Sequence, residues 1–213
     1  MNEAINNENE KNLRRYNITA WFYDILDYPW EQTYRKWRPE LVGDLRGTVL
    51  EAGVGTGRNL EFYHPEVNLT AFDLSPAMLR KAARRKGRAK CSINLIQEDA
   101  CRMSLIGTQQ FDWVIATFLC CVVPSGLQIQ VLQQIERVLK PGGRFRLLEM
   151  IYSKDPSTRK RQDLFAPFVE RVYGARFDRD TVRHVETSKQ LEITSVTFLK
   201  KDVYLLIEGF RRR

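Results

Sequence analysis

One stretch constrains the fold of this chain more than any other. A short apolar run, Val49 to Ala52, leads into Gly53, Gly55 and Gly57, which are separated by single residues. The apolar run suits a buried strand, and the residues behind the glycines have an apolar spacing that suits a helix. Glycine tolerates positive φ and lets a ligand lie against the backbone. The spacing differs from dinucleotide-binding turns and from phosphate loops, so the turn predicts a nucleotide-like ligand of another kind.

Strand and helix patterns alternate about five times around this turn. Apolar or β-branched runs at residues 68–73, 93–97, 111–117 and 144–150 indicate further strands. Between them, Ser75-Pro76 is typical of a helix start, and a stretch over 128–140 has helical apolar spacing. Pro141-Gly142-Gly143 is expected to end that helix sharply. The alternation predicts an α/β protein with a doubly wound, mostly parallel sheet.

The end of the chain has a different pattern. A Lys/Arg-rich segment over 154–161 precedes a predicted helix, and a second helical stretch begins near residue 178. Two β-rich runs, 192–199 and 202–210, are then separated by Lys200-Lys201. That gap is too short for a crossover helix, so the two runs must pair as an antiparallel hairpin. The expected sheet therefore has seven strands.

Aromatic and basic residues dominate the segment in front of the glycine turn. Leu13, Tyr16, Ala20 and Tyr23 follow helical spacing, Pro29 interrupts the pattern, and a second helix is expected over 31–45. We interpret residues 1–45 as a helical lid that also contacts a membrane, and residues 46–213 as the ligand-binding domain. Membrane contact is expected because basic, aromatic-rich amphipathic helices suit the lipid interface. Packing on the domain as a simple helical cap is the alternative, and the two interpretations are compatible.

Composition limits the partners and the compartment. The net charge of +8 over 213 residues favours an anionic partner without choosing one. The four cysteines have no metal-ligand spacing, so no metal site is predicted and reduced thiols are expected. A polar start and the lack of an apolar run near ~20 residues predict a cytoplasmic protein, with peripheral contact at the inner membrane face as an option. The basic helix after Pro76 is interpreted as a solvated face and not as a nucleic-acid footprint.

Three groups should meet at the carboxyl ends of the predicted strands. They are the glycine turn, Asp73 after the second strand and Asp99 after the third. Asp73 can accept two hydrogen bonds from a ribose diol, while Asp99 and the N–H of Ala100 can bind an adenine edge. No Lys or Arg lies inside the turn to hold a phosphate, which favours a ligand with an amino-acid tail.

These residues resemble the class I S-adenosylmethionine-dependent methyltransferases, a Rossmann-like fold family. The resemblance covers about residues 45–210 and rests on Glu51-x-Gly53-x-Gly55-x-Gly57, Asp73-Leu74-Ser75-x-x-Met78, Glu98-Asp99-Ala100, Phe111-Asp112-x-Val114 and Leu139-Lys140-Pro141-Gly142-Gly143. It implies S-adenosylmethionine as cofactor, with the glycines at its methionine moiety, Asp73 at the ribose and Asp99-Ala100 at the adenine. Lesser contacts are expected from Glu51, Leu74, Met78 and Thr117.

Within that family, three stretches look like bacterial phospholipid N-methyltransferases and the related quinone C- and thiol methyltransferases. They are residues 53–63, the pair Tyr16 and Tyr23-Asp24, and residues 117–124. Thr117-Phe118-Leu119-Cys120 stands where enzymes that methylate nucleic-acid amines carry Asn-Pro-Pro-Tyr, which argues against that substrate. The leading hypothesis is methylation of the head-group amine of phosphatidylethanolamine, with Tyr16 and Tyr23 as candidate catalytic residues lining the acceptor site. Packing or cofactor contact by both tyrosines is an equal alternative.

Two other functions remain open at this point. The acceptor could be a quinone ring carbon, a thiol or a natural-product amine, and Cys120 and Cys121 do not decide between them. A catalytically silent binding module of the same fold is the second alternative, against which the intact glycine and aspartate motifs argue. The expected partners are a small-molecule or lipid acceptor and an anionic membrane surface, and the chain is expected to be a monomer.

Overall fold

The computed structural model describes residues Leu13, Arg14, Tyr16, Phe22 and 25–213. The first four of these have a helical backbone. Ala20 and Tyr23, which belong to the predicted apolar stripe, lie outside the described residues. The prediction of a continuous first helix therefore stays a prediction.

Five helices and seven strands follow in the described part of the chain. The helices are α1 (Tyr28–Val42), α2 (Pro76–Lys86), α3 (Gln128–Val138), α4 (Pro156–Tyr173) and α5 (Thr181–Glu186). The strands are β1 (Gly47–Ala52), β2 (Val67–Asp73), β3 (Ser92–Gln97), β4 (Phe111–Thr117), β5 (Leu139–Met150), β6 (Leu191–Lys200) and β7 (Tyr204–Arg211). Short 3-10 turns cover Leu60–Phe62 and Ser125–Leu127.

All seven strands form one sheet in the order β3-β2-β1-β4-β5-β7-β6. The neighbours from β3 to β5 are parallel, whereas β7 runs antiparallel to both β5 and β6. The predicted doubly wound, mostly parallel sheet with a terminal hairpin is thus confirmed. The strand order reverses between β1 and β4, and the ligand crevice of such sheets lies at this point.

Hydrophobic cores cover both faces of the sheet, because successive strand side chains point to opposite sides. Leu50 and Val114 belong to the core under α3 and α5. Val49 and Ile115 belong to the core under α1 and α2. All four of these strand side chains are fully buried. The two central strands are therefore apolar on both faces, and their carboxyl ends are held rigidly at the crevice.

The α2 start agrees with the sequence. The Ser75 side chain accepts a hydrogen bond from the N–H of Met78, and Pro76 occupies the first helical position. Pro29 likewise lies in the first turn of α1, where its missing N–H costs little. Helix α1 therefore begins and ends about three residues before the predicted second helix.

Three local expectations were wrong. The glycine turn opens only the 3-10 turn Leu60–Phe62 and not an α-helix, since Tyr63 is already extended and Pro65 disfavours a helical His64. The Pro141-Gly142-Gly143 stretch lies inside β5, where Gly142 takes a φ of +79°. The basic segment 154–161 runs into α4, because the Asp155 side chain caps that helix by accepting from the N–H of Thr158.

Candidate active site

A cavity of about 600 Å³ opens at the carboxyl ends of the central strands. Its volume lies in the range of small-molecule sites. Its walls come from the strand-end loops, from α1 and α4, and from the tip of the β6–β7 hairpin. Of the residues predicted from the sequence, the cavity is lined by Tyr16, Glu51, Gly53, Gly55, Asp73, Leu74, Met78, Asp99, Ala100 and Thr117.

The three glycines of the turn have different surroundings, although all have positive φ. A Cβ on Gly55 would meet no atom within 4 Å, which leaves open space against the backbone. A Cβ on Gly53 would approach Leu119 Cδ1 at 3.0 Å. Gly57 does not line the cavity, and its Cβ would lie 2.8 Å from Ala82 Cα. Gly57 therefore lets the turn pack on α2, while Gly55 leaves room for a ligand.

Asp73 is fixed at the end of β2 by two backbone donors. Its Oδ1 accepts from the N–H of Ser75 and its Oδ2 from the N–H of Gly55, both at 2.9 Å. Burial raises the pKa of Asp73 to about 6, although these N–H bonds act in the opposite direction. Each carboxylate oxygen has a further lone pair, so the fixed carboxylate can also accept from a diol.

The loop after β3 is organised by Glu98. Its Oε1 accepts from the N–H of Asp99 at 2.8 Å and its Oε2 from the N–H of Leu105 at 2.7 Å. The Oδ1 of Asp99 in turn accepts from the N–H of Cys101 at 2.8 Å. The backbone and carboxylate of this loop are therefore held in one arrangement at the cavity wall.

Glu51 lies below the glycine turn and is 2% exposed. Its Oε1 accepts from Asn59 Nδ2 at 2.7 Å and its Oε2 from the Tyr63 hydroxyl at 3.1 Å. Burial raises the pKa of Glu51 to about 7. Asn59 Nδ2 also donates to Thr117 Oγ1 at 3.2 Å, and Arg38 donates to Asn59 Oδ1. Asn59 thus joins the ends of β1 and β4.

A buried ionic network connects α1 to the glycine turn, and sequence reasoning missed it. The Arg58 guanidinium lies 3.1 Å from Glu31 and 3.5 Å from Asp27. Arg38 pairs with Glu31 at 2.7 Å. Because all four side chains are at most 13% exposed, these pairs are screened less than surface pairs. The spacing of Asp27 and Glu31, one helical turn apart, was the sequence feature that could have indicated this network.

An aromatic cluster of Tyr34, Trp37, Phe118 and Tyr204 stands beside the β4 end of the same cavity. Tyr34 lies 5.0 Å from Phe118 and 5.6 Å from both Trp37 and Tyr204, measured between ring centroids. The Tyr34 and Tyr204 hydroxyls are 3.2 Å apart. Phe118 follows β4 with a φ of +57°, a strained conformation for a side chain of its size. No local sequence pattern indicates this grouping, because its residues come from α1, the β4 loop and β7.

Of the two predicted acceptor-site tyrosines, Tyr16 is among the described residues. Tyr16 packs against Ala77 and Met78, and its hydroxyl donates to the carbonyl of Tyr173 at 2.8 Å. It therefore joins the cofactor side of the cavity to the end of α4. Tyr23 lies outside the described residues.

The residues present fit S-adenosylmethionine. The open space at Gly55 accommodates a compact group against the backbone, and the fixed Asp73 carboxylate offers acceptors to a ribose diol. The ordered Asp99-Ala100 loop offers an acceptor and an N–H to an adenine edge. Within the described residues, no group of three or more His, Cys, Asp or Glu side chains could hold a metal ion.

Comparison with known proteins agrees with this geometry. Residues 49–143 match the family model described as "Methyltransferase domain". An O-methyltransferase family protein from Burkholderia thailandensis superposes with a TM-score of 0.70 over 91% of this chain and 59% of its own, at 19% identity. Residues 49–143 therefore form a methyltransferase domain, and the superposition shows that the chain has the fold of such proteins. These findings confirm the resemblance to class I S-adenosylmethionine-dependent methyltransferases and the cofactor predicted from the motifs.

Its curated relatives act on different acceptors. The chain is 34% identical to the ubiquinone/menaquinone biosynthesis C-methyltransferase UbiE of Syntrophotalea carbinolica, over 57% of this chain and 53% of that protein. It is 33% identical to the thiol S-methyltransferase TMT1B of Rattus norvegicus, over 48% of this chain and 44% of that protein. It is 28% identical to the phosphatidylethanolamine N-methyltransferase of Cereibacter sphaeroides, over 78% of this chain and 81% of that protein. The chain thus spans about half the length of the first two relatives.

Proposed function

We propose that this chain transfers a methyl group from S-adenosylmethionine to the head-group amine of phosphatidylethanolamine at a membrane surface. The observation that carries the proposal is that three rings of the aromatic cluster, Tyr34, Phe118 and Tyr204, line the same cavity as Asp27 and the glycine turn. The similarity to a phosphatidylethanolamine N-methyltransferase, which extends over 78% of this chain, supports the same acceptor.

The electrostatics of the acceptor side favour a cation. Asp27 is 9% exposed, and its negative charge contributes to the raised pKa values of both Tyr173 and Tyr204, after burial as the larger cause. The carboxylate therefore acts on both hydroxyls across the cavity. Aromatic faces attract ammonium groups, and more so as methyl groups are added and hydration weakens. A carboxylate beside aromatic rings suits an amine better than a neutral ring or a thiol.

The bound cofactor would supply an electrophilic methyl group on a sulfonium. Such a displacement depends on proximity and alignment more than on a strong base. In this proposal Gly53, Gly55, Asp73 and Asp99 hold the cofactor, and the aromatic cluster positions the amine. In this proposal Tyr16 lies between the cofactor and the acceptor, where its hydroxyl donates to the Tyr173 carbonyl. Tyr23, which lies outside the described residues, stays a predicted acceptor-site residue.

Two exposed apolar surfaces flank the cavity and support the membrane part of the proposal. One consists of Phe22, Ile25, Tyr28 and Trp30, which are 40–72% exposed. The other, on α4, consists of Leu164, Phe165 and Phe168, which are 45–75% exposed. Exposed apolar patches of this kind mark interaction sites.

The charges on α4 are arranged for an anionic surface. Lys160, Arg161 and Arg171 lie within a turn of Leu164 and Phe168 on the helix surface, whereas Asp163 and Glu170 fall on the opposite side. No helix in the described part of the chain is long and apolar enough to cross a bilayer. Peripheral docking through these flanks would bring the cavity mouth to the lipid head groups.

The acceptor is tested with labelled S-adenosylmethionine and purified protein. Vesicles of phosphatidylethanolamine with an anionic lipid are compared with a quinone and with a small thiol. We expect label in the lipid fraction. Labelling of the quinone or the thiol with unlabelled vesicles would make the lipid assignment wrong.

Docking is tested by vesicle flotation of a Leu164→Gln/Phe168→Gln variant. Leu105→Gln/Ile129→Gln is the matched control, since Leu105 and Ile129 are 72% and 49% exposed outside the cavity. We expect the α4 variant alone to lose lipid recovery, by about tenfold from the apolar area removed. Equal recovery of both variants would remove α4 from the docking surface.

A quinone acceptor is the second candidate. The rings of the aromatic cluster could also stack on a quinone, and one relative is a quinone-biosynthesis C-methyltransferase. Asp27 separates the two candidates: its carboxylate would stabilise an ammonium but would gain nothing from a neutral ring. Calorimetry that shows no binding of S-adenosylmethionine would instead favour a silent binding module.

A further inference from the structure

Three cations stand at the exposed edge of the cavity, opposite in charge to its interior. Arg161 comes from α4, and Lys200 and Lys201 come from the tip of the β6–β7 hairpin. All three are exposed cavity-lining residues. Deeper in the same cavity the lining includes the carboxylates of Asp27, Glu51, Asp73, Glu98 and Asp99, against the guanidinium groups of Arg38 and Arg58. The cavity is thus acidic inside and basic at its mouth.

The hairpin tip is held so that its two lysines remain at the mouth. Asp202 accepts from Ser153 Oγ and from the N–H of Lys154, both at 2.5 Å, and these bonds lower its pKa. The N–H of Ile151 also donates to the carbonyl of Val203 at 2.8 Å. The acidic residue of the tip is therefore used to anchor the turn to the β5–α4 junction. Lys201 itself takes a φ of +49°.

The other nearby carboxylates are also engaged. Asp155 caps α4, and its bonds to Ser157 and Thr158 lower its pKa to about 2, with a smaller contribution from the charge of Lys201. Asp163 pairs with Arg159 at 3.1 Å. Among the described residues, Arg161, Lys200 and Lys201 make no ion pair within 4.0 Å. Their charges are therefore available to a ligand at the cavity mouth.

We propose that Arg161, Lys200 and Lys201 form a phosphate subsite at the mouth of the cavity. This inference rests on the proposed amine acceptor, because the subsite places one charge of a zwitterion at the mouth of the cavity while the other lies in its interior. The ammonium enters the acidic, aromatic interior, and the phosphate stays at the basic mouth. The acceptor class is then an ethanolamine phosphate, either the phosphodiester of a membrane lipid or a soluble monoester.

The donor chemistry suits phosphate. A guanidinium offers a planar pair of N–H donors, and two ammonium groups on a short turn add point charges that adapt to tetrahedral oxygens. A quinone or a simple thiol has no anionic group to place there. The subsite therefore adds a second criterion to the preference for an amine that the Asp27 carboxylate gives the interior.

Calorimetry with the full chain tests the subsite directly. The probes are glycerophosphoethanolamine, which carries both charges, and ethanolamine, which lacks the phosphate. The variant is Arg161→Gln/Lys200→Gln/Lys201→Gln, and the control is Arg84→Gln/Lys86→Gln/Arg88→Gln. The control changes the net charge equally at exposed residues outside the cavity.

We expect wild-type protein to bind glycerophosphoethanolamine at least about tenfold more tightly than ethanolamine, with inorganic phosphate as a competitor. The rim variant should lose that difference, and the control variant should keep it. Equal binding of both probes by the wild type would overturn the subsite. An equal loss in both triple variants would also overturn it, because the effect would then come from net charge alone.

Methyl transfer separates this inference from the proposed function and identifies the phosphate source. If wild-type protein labels phosphatidylethanolamine and the rim variant has an unchanged KM for it, only the subsite is wrong. If no amine is labelled but the probe difference persists, only the proposed function is wrong. Preferential labelling of vesicles supports a lipid phosphodiester, and preferential labelling of soluble phosphoethanolamine supports a monoester at the same subsite.

Discussion

The two halves of the cavity are built in different ways. The cofactor half is made from consecutive strand-end loops of β1, β2 and β3, and its polar groups are fixed by backbone N–H donors, as at Asp73. The proposed acceptor half is made from α1, the β4 loop, α4 and β7, and contacts between side chains join these separate elements to one another. In the proposed function, the cofactor half recognises its ligand through the strand-end loops of the sheet itself. The acceptor half depends on elements that can vary without altering the sheet.

The largest effect should come from Asp73→Asn on the cofactor half. The amide keeps the shape of the carboxylate, but its single oxygen can accept from only one of the N–H groups of Gly55 and Ser75, and its NH2 group faces the other donor. With the charge-assisted bonds to a ribose also lost, we expect S-adenosylmethionine affinity to fall about 100-fold by calorimetry. Asp163→Asn on the outer side of α4 is the control, with an expected change of less than about twofold. An Asp73→Asn variant that binds normally would break the assignment of this half.

Substitution of two glycines by alanine should separate binding from packing inside the same turn. Gly57→Ala places a Cβ 2.8 Å from Ala82 Cα at a φ of +81°, so we expect the free energy of unfolding to fall by about 2–3 kcal/mol. Gly55→Ala meets open space and carries only the conformational cost of about 1 kcal/mol. Its main effect should be weaker cofactor binding. Thermal unfolding and calorimetry on both variants test this, and the reverse pattern would contradict it.

On the acceptor half, Asp27→Asn should raise KM for an amine acceptor about tenfold while leaving the cofactor Kd within about twofold. The amide keeps the size of the side chain, and Arg58 keeps Glu31 as a partner. Initial rates against acceptor concentration, with thermal unfolding as a check on folding, measure the effect. If the cofactor Kd rises as much as the acceptor KM, the two halves are not separate in the way described.

Both halves contain buried carboxyl groups with raised pKa values, namely Glu51 and Asp73 in the cofactor half and Glu149 beside the β4 loop of the acceptor half. Glu149, on β5, accepts from the N–H groups of Cys120 and Cys121 at 2.8 Å and so holds the loop after β4. Burial raises the pKa of Glu149 to about 7 from an ordinary 4.5. A folded state that binds its proton more tightly than the unfolded state gains stability at low pH, so this contribution is present below about pH 4.5 and is lost as pH rises through 7.

Thermal unfolding between pH 5 and 8 tests that sign. We expect Glu149→Gln to flatten the fall in stability between pH 5 and 7, which for one such group is on the order of 1 kcal/mol per pH unit. Glu186→Gln, at an exposed position, is the control and should leave the slope unchanged. An unchanged slope in Glu149→Gln would show that Glu149 is not the group that titrates.

The sequence was sufficient for the sheet and for most of the cofactor half. Strand patterns, the gap at Lys200-Lys201 and the glycine spacing are local, and Asp73 and Asp99 follow strands directly, so topology alone places them at one edge. What it could not predict depends on neighbours in space. The distinct role of Gly57 follows from the approach of Ala82 on α2, and the failure of the helix behind the turn follows from Tyr63 and Pro65.

The acceptor half could be predicted less well from the sequence, because it also depends on residues that are neighbours only in space. Tyr34 and Tyr204 are 170 residues apart in sequence, yet their hydroxyls are 3.2 Å apart. No periodicity within α1 or β7 indicates that pairing. The basic segment 154–161 illustrates the same point, because its composition was evident but its place in α4 at the cavity mouth depended on the cap by Asp155.

The position of β7 between β5 and β6 has a consequence for the order in which the molecule can be assembled during synthesis. The glycine turn, Asp73, Asp99 and the strands beneath them are all translated before residue 120, and their parallel pairings can form while the rest of the chain is still on the ribosome. The lysines of the hairpin tip are translated just before the last strand and Tyr204 with it, and until that strand pairs the edge of β5 remains open. A nascent chain would therefore acquire its cofactor half first and its selectivity for an acceptor last.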